Sequence, residues 1–404
     1  MSRLLFKWIG LRLQRAAPAL GAFALAAAVF ALFLCELSGY EARLLAQREE
    51  LYGSFDIGCY ISNATGTRTD ALSLPARYVD SIESDLSELV RDIRVTKTFR
   101  YQVMEPGDPV DVEKPREAPS LIGINDISLS EELLSVGEIV WPEGVDDSFF
   151  ANGGQGCIIP VSIAQKLMRD EDNKPYLNLA LCDLAYRYGM ECISVSLPIV
   201  TAYANSTGED IYMSWEATRA LSEQLMGIAA ADTLTFSARD NRRLDELTQA
   251  LEQYFKPVDP LAERDLADFA VTVQDSVFRS ALSNVERNIS VVKLLLPLAF
   301  VMSLACGFLI SFLATRSRLR EFAVMRSLGT SGTMVFLCAF GEQAVTAALG
   351  ALLGMLADLL VRGALPGNAF VFTGAFVLLF LVGCAAASLR VARVNVIQML
   401  SVKE

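Results

Sequence analysis

Two kinds of pattern alternate along the chain. Ala16–Cys35, Leu294–Ala314, about Met334–Leu360 and Gly363–Leu389 are nearly free of charge. Each is long enough for a helical membrane span, which needs about 20 apolar residues. They predict spans at 16–36, 291–315, 333–361 and 369–389. The helical period persists from Glu36 to Glu50, so the first helix is expected to continue past the bilayer. Before the second span the period reaches back to Val277, predicting one long helix over Val277–Ala314 with a kink at Pro297. A signal peptide is the rival reading of the first run, since basic residues precede it. The run is long for that purpose, and no small-x-small site falls before Glu36. A lipoprotein site at Cys35 would meet the bulky Leu34 where a small residue is required.

Residues 37–290 read differently. Phe55–Ile61, Val95–Val103, Thr233–Phe236 and Phe269–Val273 alternate or are β-branched, as strands do. An amphipathic helix is expected over Pro75–Val90, and Leu244, Leu247 and Leu251 mark a second helical face that Pro257 follows. The middle, about 105–230, is rich in Pro and Gly at Pro106, Gly107, Pro109, Pro115 and Pro119, then strand-like at Cys157–Ile159 and Cys192–Leu197. This predicts one subdomain built from two flanks, 52–104 and 231–275, with a second inserted between them. The fold class expected is a membrane α-helical protein: four transmembrane helices with a large α+β extracytoplasmic domain between the first and second.

Charge orients this arrangement. Arg3, Lys7, Arg12 and Arg15 precede the first span, and Arg316, Arg318, Arg320 and Arg326 crowd between the second and third. Arg390, Arg393 and Lys403 follow the fourth. Between Glu36 and Ser290 stand 43 acids against 22 bases. Short loops rich in Lys and Arg stay in the cytoplasm. Residues 1–15, 316–332 and the tail 390–404 are therefore expected inside, and the acidic block outside, in a multi-pass protein of the plasma membrane. The connection around Gly363–Asn368 must then be external. The acidity is most simply a solvated surface; a weaker reading is attraction of a cationic ligand such as a peptide.

Composition removes several chemistries. With no histidine in the chain, His-based triads, His metal sites and His proton shuttles are excluded. No phosphate-loop or dinucleotide fingerprint is present. No cofactor, metal or nucleic-acid partner is expected, and no nucleophile is paired with a base. Of the eight cysteines, Cys35, Cys306, Cys338 and Cys384 fall in spans and behave as small apolar residues. Cys59, Cys157, Cys182 and Cys192 lie in the acidic block. Four cysteines allow three pairings; Cys182–Cys192 is the most local possible disulfide, with free thiols as the alternative. The N-x-S/T matches at Asn63, Asn205 and Asn288 are read as chance.

Glu342 lies about eight residues into the third span, roughly 12 Å down at the helical rise. A carboxylate there costs about 3 kcal/mol and should face other helices. It is read either as glue between helices or as a relay in coupling. Gly350 and Gly354 form a small-xxx-small face that permits close helix approach. Asp358 and Arg362, four apart, are expected to form a solvated pair at the interface.

The basic stretch from Arg316 to Gly329 is patterned beyond simple charge. Leu319, Phe322 and Ala323 share a helical face, which Arg326 interrupts. Gly329 suits a left-handed helix end, and Thr330, Ser331 or Thr333 can cap the next helix. A short helix under the membrane is predicted; a basic loop that only fixes orientation is the alternative. The segment Arg320-Glu321-Phe322-Ala-Val-Met325-Arg326-Ser-Leu-Gly329-Thr-Ser resembles the R-E-x-A-x-x-R-x-x-G-A/T-S segment of FtsX/MacB-type ABC transporter permeases. Glu342 through Gly350 to Gly354 is similar to that family's third span. The resemblance covers the spans and their order; in the external domain it extends to layout alone. It implies that Arg320, Glu321, Phe322, Met325, Arg326 and Gly329 couple to an ATPase. It also implies a separate ABC ATPase chain, a second permease subunit, identical or different, and membrane lipid as partners, with no enzymatic activity on this chain. Such permeases act on peptides, lipids or lipoproteins, or transmit force to wall hydrolases. A membrane-anchored sensor or scaffold that binds an external ligand is the alternative, and an external hydrolase a distant third.

Overall fold

The first apolar run forms α1 (Ala17–Ser54), a helix of 38 residues. The computed structural model describes residues 17–105, 107–135, 139–167, 176–183, 192–204, 208–257, 269–363, 365 and 367–392. The basic N-terminal residues, Arg393, Lys403, Pro106 and Asn205 fall outside them. Residues Tyr52–Arg279 form one compact unit, and the helical segments before and after it in the chain form the other.

The sheet unit runs β1 (Gly58–Asn63), β2 (Leu74–Pro75), α2 (Ala76–Asp85), β3 (Val90–Val103), β4 (Ser120–Ile124), α3 (Glu131–Ser135), β5 (Cys157–Pro160), α4 (Val161–Leu167), β6 (Tyr176–Cys182), β7 (Cys192–Tyr203), β8 (Ile211–Ser214), α5 (Trp215–Met226), β9 (Ala230–Ala231), β10 (Thr233–Ala238), α6 (Leu244–Tyr254), β11 (Lys256–Pro257) and β12 (Phe269–Val273). Its large sheet has the order β11-β12-β1-β10-β3-β4-β8-β5-β7-β6, and β6 pairs back onto β3. The last six strands therefore close into a ring, and β3 belongs both to the ring and to the flanking sheet. Closure leaves the ring without an open edge. Alternate positions of its strands, including Phe99, Leu121, Ile159, Leu179, Val195 and Met213, meet Leu221 and Leu225 of α5 in one core. The side chain of Ser214 caps α5, accepting from Ala217 N at 3.2 Å, and Gly227 ends it with φ +73°.

Compared with expectation, the helix at Pro75–Val90 is shorter, because Pro75 stands at its N-cap and it stops at Asp85. The strand expected from Val95 begins at Val90. The middle section holds β4, β6, β8 and α5 besides the two expected strand-like segments.

Where ring and flank share β3, two strands meet the same strand in succession. β10 pairs with residues up to Thr96, and β6 pairs from Arg100 onward. The gap is filled by charge. Lys97, fully buried, donates to Asp183 Oδ2 at 2.5 Å and to Asp232 Oδ1 at 2.9 Å. Asp232 Oδ2 accepts from Thr98 N at 2.9 Å, supplying a partner that the interrupted ladder does not. Both aspartates are buried. Burial pushes the carboxyl of Asp232 above the usual carboxylate range, opposed by Lys97 and reinforced by Asp183.

The helical unit continues after β12 with α7 (Ser276–Arg316), which contains Pro297, then α8 (Leu319–Ser327), α9 (Gly332–Arg362) and α10 (Ala369–Ala392). Among the described residues α1, α7, α9 and α10 are the helices long and apolar enough to cross a membrane. The chain is a multi-pass membrane protein with a mixed sheet domain. Glycines set how closely its helices approach. A Cβ on Gly350 would lie 2.3 Å from Ala24 O, and one on Gly354 2.4 Å from Ala28 O, so α9 lies directly on α1. A Cβ on Gly307 would meet Phe380 O at 2.5 Å, and one on Gly383 would meet Leu304 O at 2.5 Å, which seats α7 on α10. Between these pairs Phe23, Ala27, Ala31, Ala347, Phe376 and Phe380 form the core. Leu294, Val301, Leu313 and Leu360 remain exposed, as side chains facing lipid do.

Candidate functional site

The basic stretch folds into α8 and a tight turn, and the reasons are local. Thr330 N donates to Met325 O at 3.1 Å and Gly329 N to Arg326 O at 3.1 Å, a closure made with Gly329 at φ +90°. A left-handed residue at a helix end is the ordinary task of glycine. Of the three candidate caps, Ser331 is the one used: its hydroxyl accepts from Met334 N at 3.3 Å and starts α9. The basic stretch, an elbow between α7 and α9, is thus joined to α9 by the four residues 328–331, with Gly329 closing the turn and Ser331 capping the next helix.

α8 has two faces. Phe322 packs with Val335 and Ala339 of α9, with Met325 against them. Ala323 is covered by Leu319 and by Phe312 of α7. Arg326 is half-buried. The opposite face carries Arg320 and Glu321, both exposed, with Val324 at 54% and Leu328 at 81% exposure. Phe322 thus packs inward, against α9. The outward apolar positions are Val324 and Leu328, which the sequence motif did not single out.

The seat is tied to the bundle by a buried ion pair. Arg318, just before α8, donates through Nη1 to both carboxylate oxygens of Glu342, at 2.7 and 2.8 Å. Glu342 is 2% exposed. Charge-assisted bonds of this kind offset the cost of burying both ions. Phe23 of α1, Thr315 of α7, Phe322 of α8 and Gln343 of α9 line a small cavity beside the pair. A polar chain continues from it: Gln343 Nε2 donates to Thr315 Oγ1 at 3.3 Å, Ser311 Oγ donates to Gln343 Oε1 at 2.6 Å, and Ser388 Oγ of α10 donates to the same oxygen at 3.4 Å. Every long helix of this unit therefore meets the cluster. Glu342 faces helices rather than lipid, and its partner is an elbow arginine.

The far end of α9 departs from the expected solvated pair. Asp358 is fully buried, and Arg362 Nε reaches its Oδ1 at 3.0 Å while also bonding the carboxylate of Glu36 on α1. Close packing through Gly354 brings α1 near enough to cover Asp358, which spacing along one helix could not reveal. Cys182 and Cys192 are both thiols and face each other across β6 and β7.

Comparison with known proteins adds little detail. No protein-family model matches the chain, and no curated protein matches it. Among solved structures, it is similar to the periplasmic region of MacB from Actinobacillus actinomycetemcomitans, at 10% identity and a TM-score of 0.28 over 57% of this chain and 94% of that one. It is also similar to the extracellular domain of the noncanonic ABC-type transporter YknZ from Gram-positive bacteria, at 10% identity and a TM-score of 0.28 over 53% of this chain and 99% of that one. Likeness at this level assigns neither substrate nor activity.

Proposed function

We propose that this chain is the permease subunit of an ABC transporter and that a separate ATPase subunit docks on α8. The observation that carries the reading is the construction of α8. A short basic helix is bolted on one face to α7 and α9, and its other face presents Arg320, Val324 and Leu328 outward. A load applied to that face passes into α9 through Phe322 and the Arg318–Glu342 pair, and into α7 through Ala323 and Phe312. Rigid helices and a charge-paired joint suit transmission of force better than formation of a channel.

On this reading the termini and α8 are cytoplasmic, the sheet unit is extracytoplasmic, and two copies of the permease fold, identical or different, serve a pair of ATPase subunits. ATP hydrolysis then drives conformational change of the sheet unit, which acts on a peptide, lipid or lipoprotein or transmits force to an external partner.

The test is purification from native membrane with identification of co-eluting proteins. An ATP-hydrolysing subunit is expected with the natural chain and is expected to be lost with Arg320→Glu or Leu328→Asp. Retention of that subunit by both variants would overturn the reading. A purified chain that binds an external ligand and never an ATPase would favour a sensor.

A further inference from the structure

The ladder between β6 and β7 ends on two cysteines in direct register, Cys182 opposite Cys192. Directly opposed residues of an antiparallel pair have Cα atoms about 4.5 or about 5.5 Å apart, depending on the type of pair. Both values lie inside the range of about 4.4–6.8 Å that a disulfide spans. The two side chains share one small cluster with Met104, Val112, Ala118 and Ala180. Cys182 is buried within it and Cys192 is half-exposed, its thiol directed to Asp111 Oδ1 at 3.8 Å. Cys192 is thus the more accessible of the two residues.

We propose that Cys182 and Cys192 form a reversible cross-strand disulfide that fixes the end of β6. The oxidant is an external disulfide of the thiol–disulfide exchange class. The Cys192 thiolate attacks one of its sulfurs, forming a mixed disulfide and expelling one thiolate. The Cys182 thiolate then attacks Cys192 Sγ and expels the second. The two protons lost by the cysteines pass to the two leaving thiolates, and two electrons pass to the oxidant. The inference rests on the reading above only in placing the sheet unit outside the cytoplasm, where disulfides persist.

The consequence is positional. Asp183, the residue after Cys182, holds Lys97, which also holds Asp232 at the junction of ring and flank. Oxidation anchors the segment that delivers Asp183 to that junction; reduction leaves it held by strand pairing and charge. Bridging a loop of roughly ten residues should raise the thermal midpoint of a unit this size by about 5–10 °C.

The test uses the full chain in detergent, incubated with oxidised glutathione or with dithiothreitol, alkylated and digested without reduction. A cross-linked peptide joining Cys182 to Cys192, two hydrogens lighter than its parts, is expected after oxidised glutathione and absent after dithiothreitol. The midpoint should rise only in the oxidised sample, and Cys192→Ser, at the half-exposed position, should abolish both effects. The proposal is overturned if both cysteines stay alkylatable after oxidised glutathione, or if either links instead to Cys59 or Cys157. The same digest from cells quenched with acid and N-ethylmaleimide separates the two readings. Linkage in vitro with reduced thiols in the cell upholds the disulfide site and counts against the external placement.

Discussion

Two buried ionic clusters, one in each unit, solve one problem in different ways. Arg318 and Glu342 balance in charge and meet through one guanidinium nitrogen that reaches both carboxylate oxygens. Lys97 faces two acidic side chains, so its cluster has no one-to-one pairing. The helical pair joins the start of α8 to the middle of α9 through side chains alone, and it can be exchanged for packing. The sheet triad stands where a ladder is interrupted, and Asp232 also supplies a backbone acceptor for Thr98. The first is a joint between rigid bodies, the second a patch in a sheet, and they should respond differently to the same kinds of change.

The largest effect is expected from Lys97→Met, which leaves two buried carboxylates facing each other. It should cost about 3–5 kcal/mol in the sheet unit, read by thermal or chemical unfolding. Glu342→Leu strands only the Arg318 guanidinium, whose side chain is 16% exposed, and should cost somewhat less, about 2–4 kcal/mol. The comparison sharpens with the double variant: Arg318→Met with Glu342→Leu should recover most of that loss while co-purification of the ATPase stays impaired. Full recovery of both would make the pair mere glue.

Gly350→Ala places a carbon 2.3 Å from Ala24 O. It should separate α9 from α1 at a cost of about 1–3 kcal/mol, and Gly354→Ala should behave alike.

The smallest effect concerns pH. Burial raises the folded-state pKa of Asp232, so protonation favours the folded form. That contribution is complete below the unfolded carboxylate value of about 4 and is lost as pH rises through the raised folded value. Asp232→Asn removes the titration, so the midpoint of the variant relative to the natural chain should climb as pH rises from about 4. A flat difference would mean that Lys97 compensates the second carboxylate in full.

The helical unit was far more legible in sequence than the sheet unit. Hydropathy is a local property, so the runs that became α1, α7, α9 and α10 announce themselves, as do the turn at Gly329 and the cap before α9. Glu342 stood out as a carboxylate in a span. Its partner did not, because Arg316, Arg318 and Arg320 are indistinguishable until the elbow is folded. The resemblance motif marked Phe322 as a coupling residue without saying which way it faces, and it passed over Val324 and Leu328. In the sheet unit β4 and β8 are short, and their pairing partners are remote in sequence. Lys97, between Thr96 and Thr98, reads as an ordinary outward position of a strand. Only the convergence of β6 and β10 on β3 makes it central. Gly307 and Gly383 were likewise silent, since a glycine in an apolar run has meaning only once a second helix lies against it.

The central claim is that the outer face of α8 receives an ATPase. The most direct measurement places a photoreactive phenylalanine analogue at Leu328 and, in a separate sample, at Leu294, which is exposed elsewhere on the helical unit. After illumination in native membranes the account predicts a cross-link from position 328 to an ATP-hydrolysing protein and none from position 294. No adduct with such a protein at 328, or equal adducts at both positions, would contradict it.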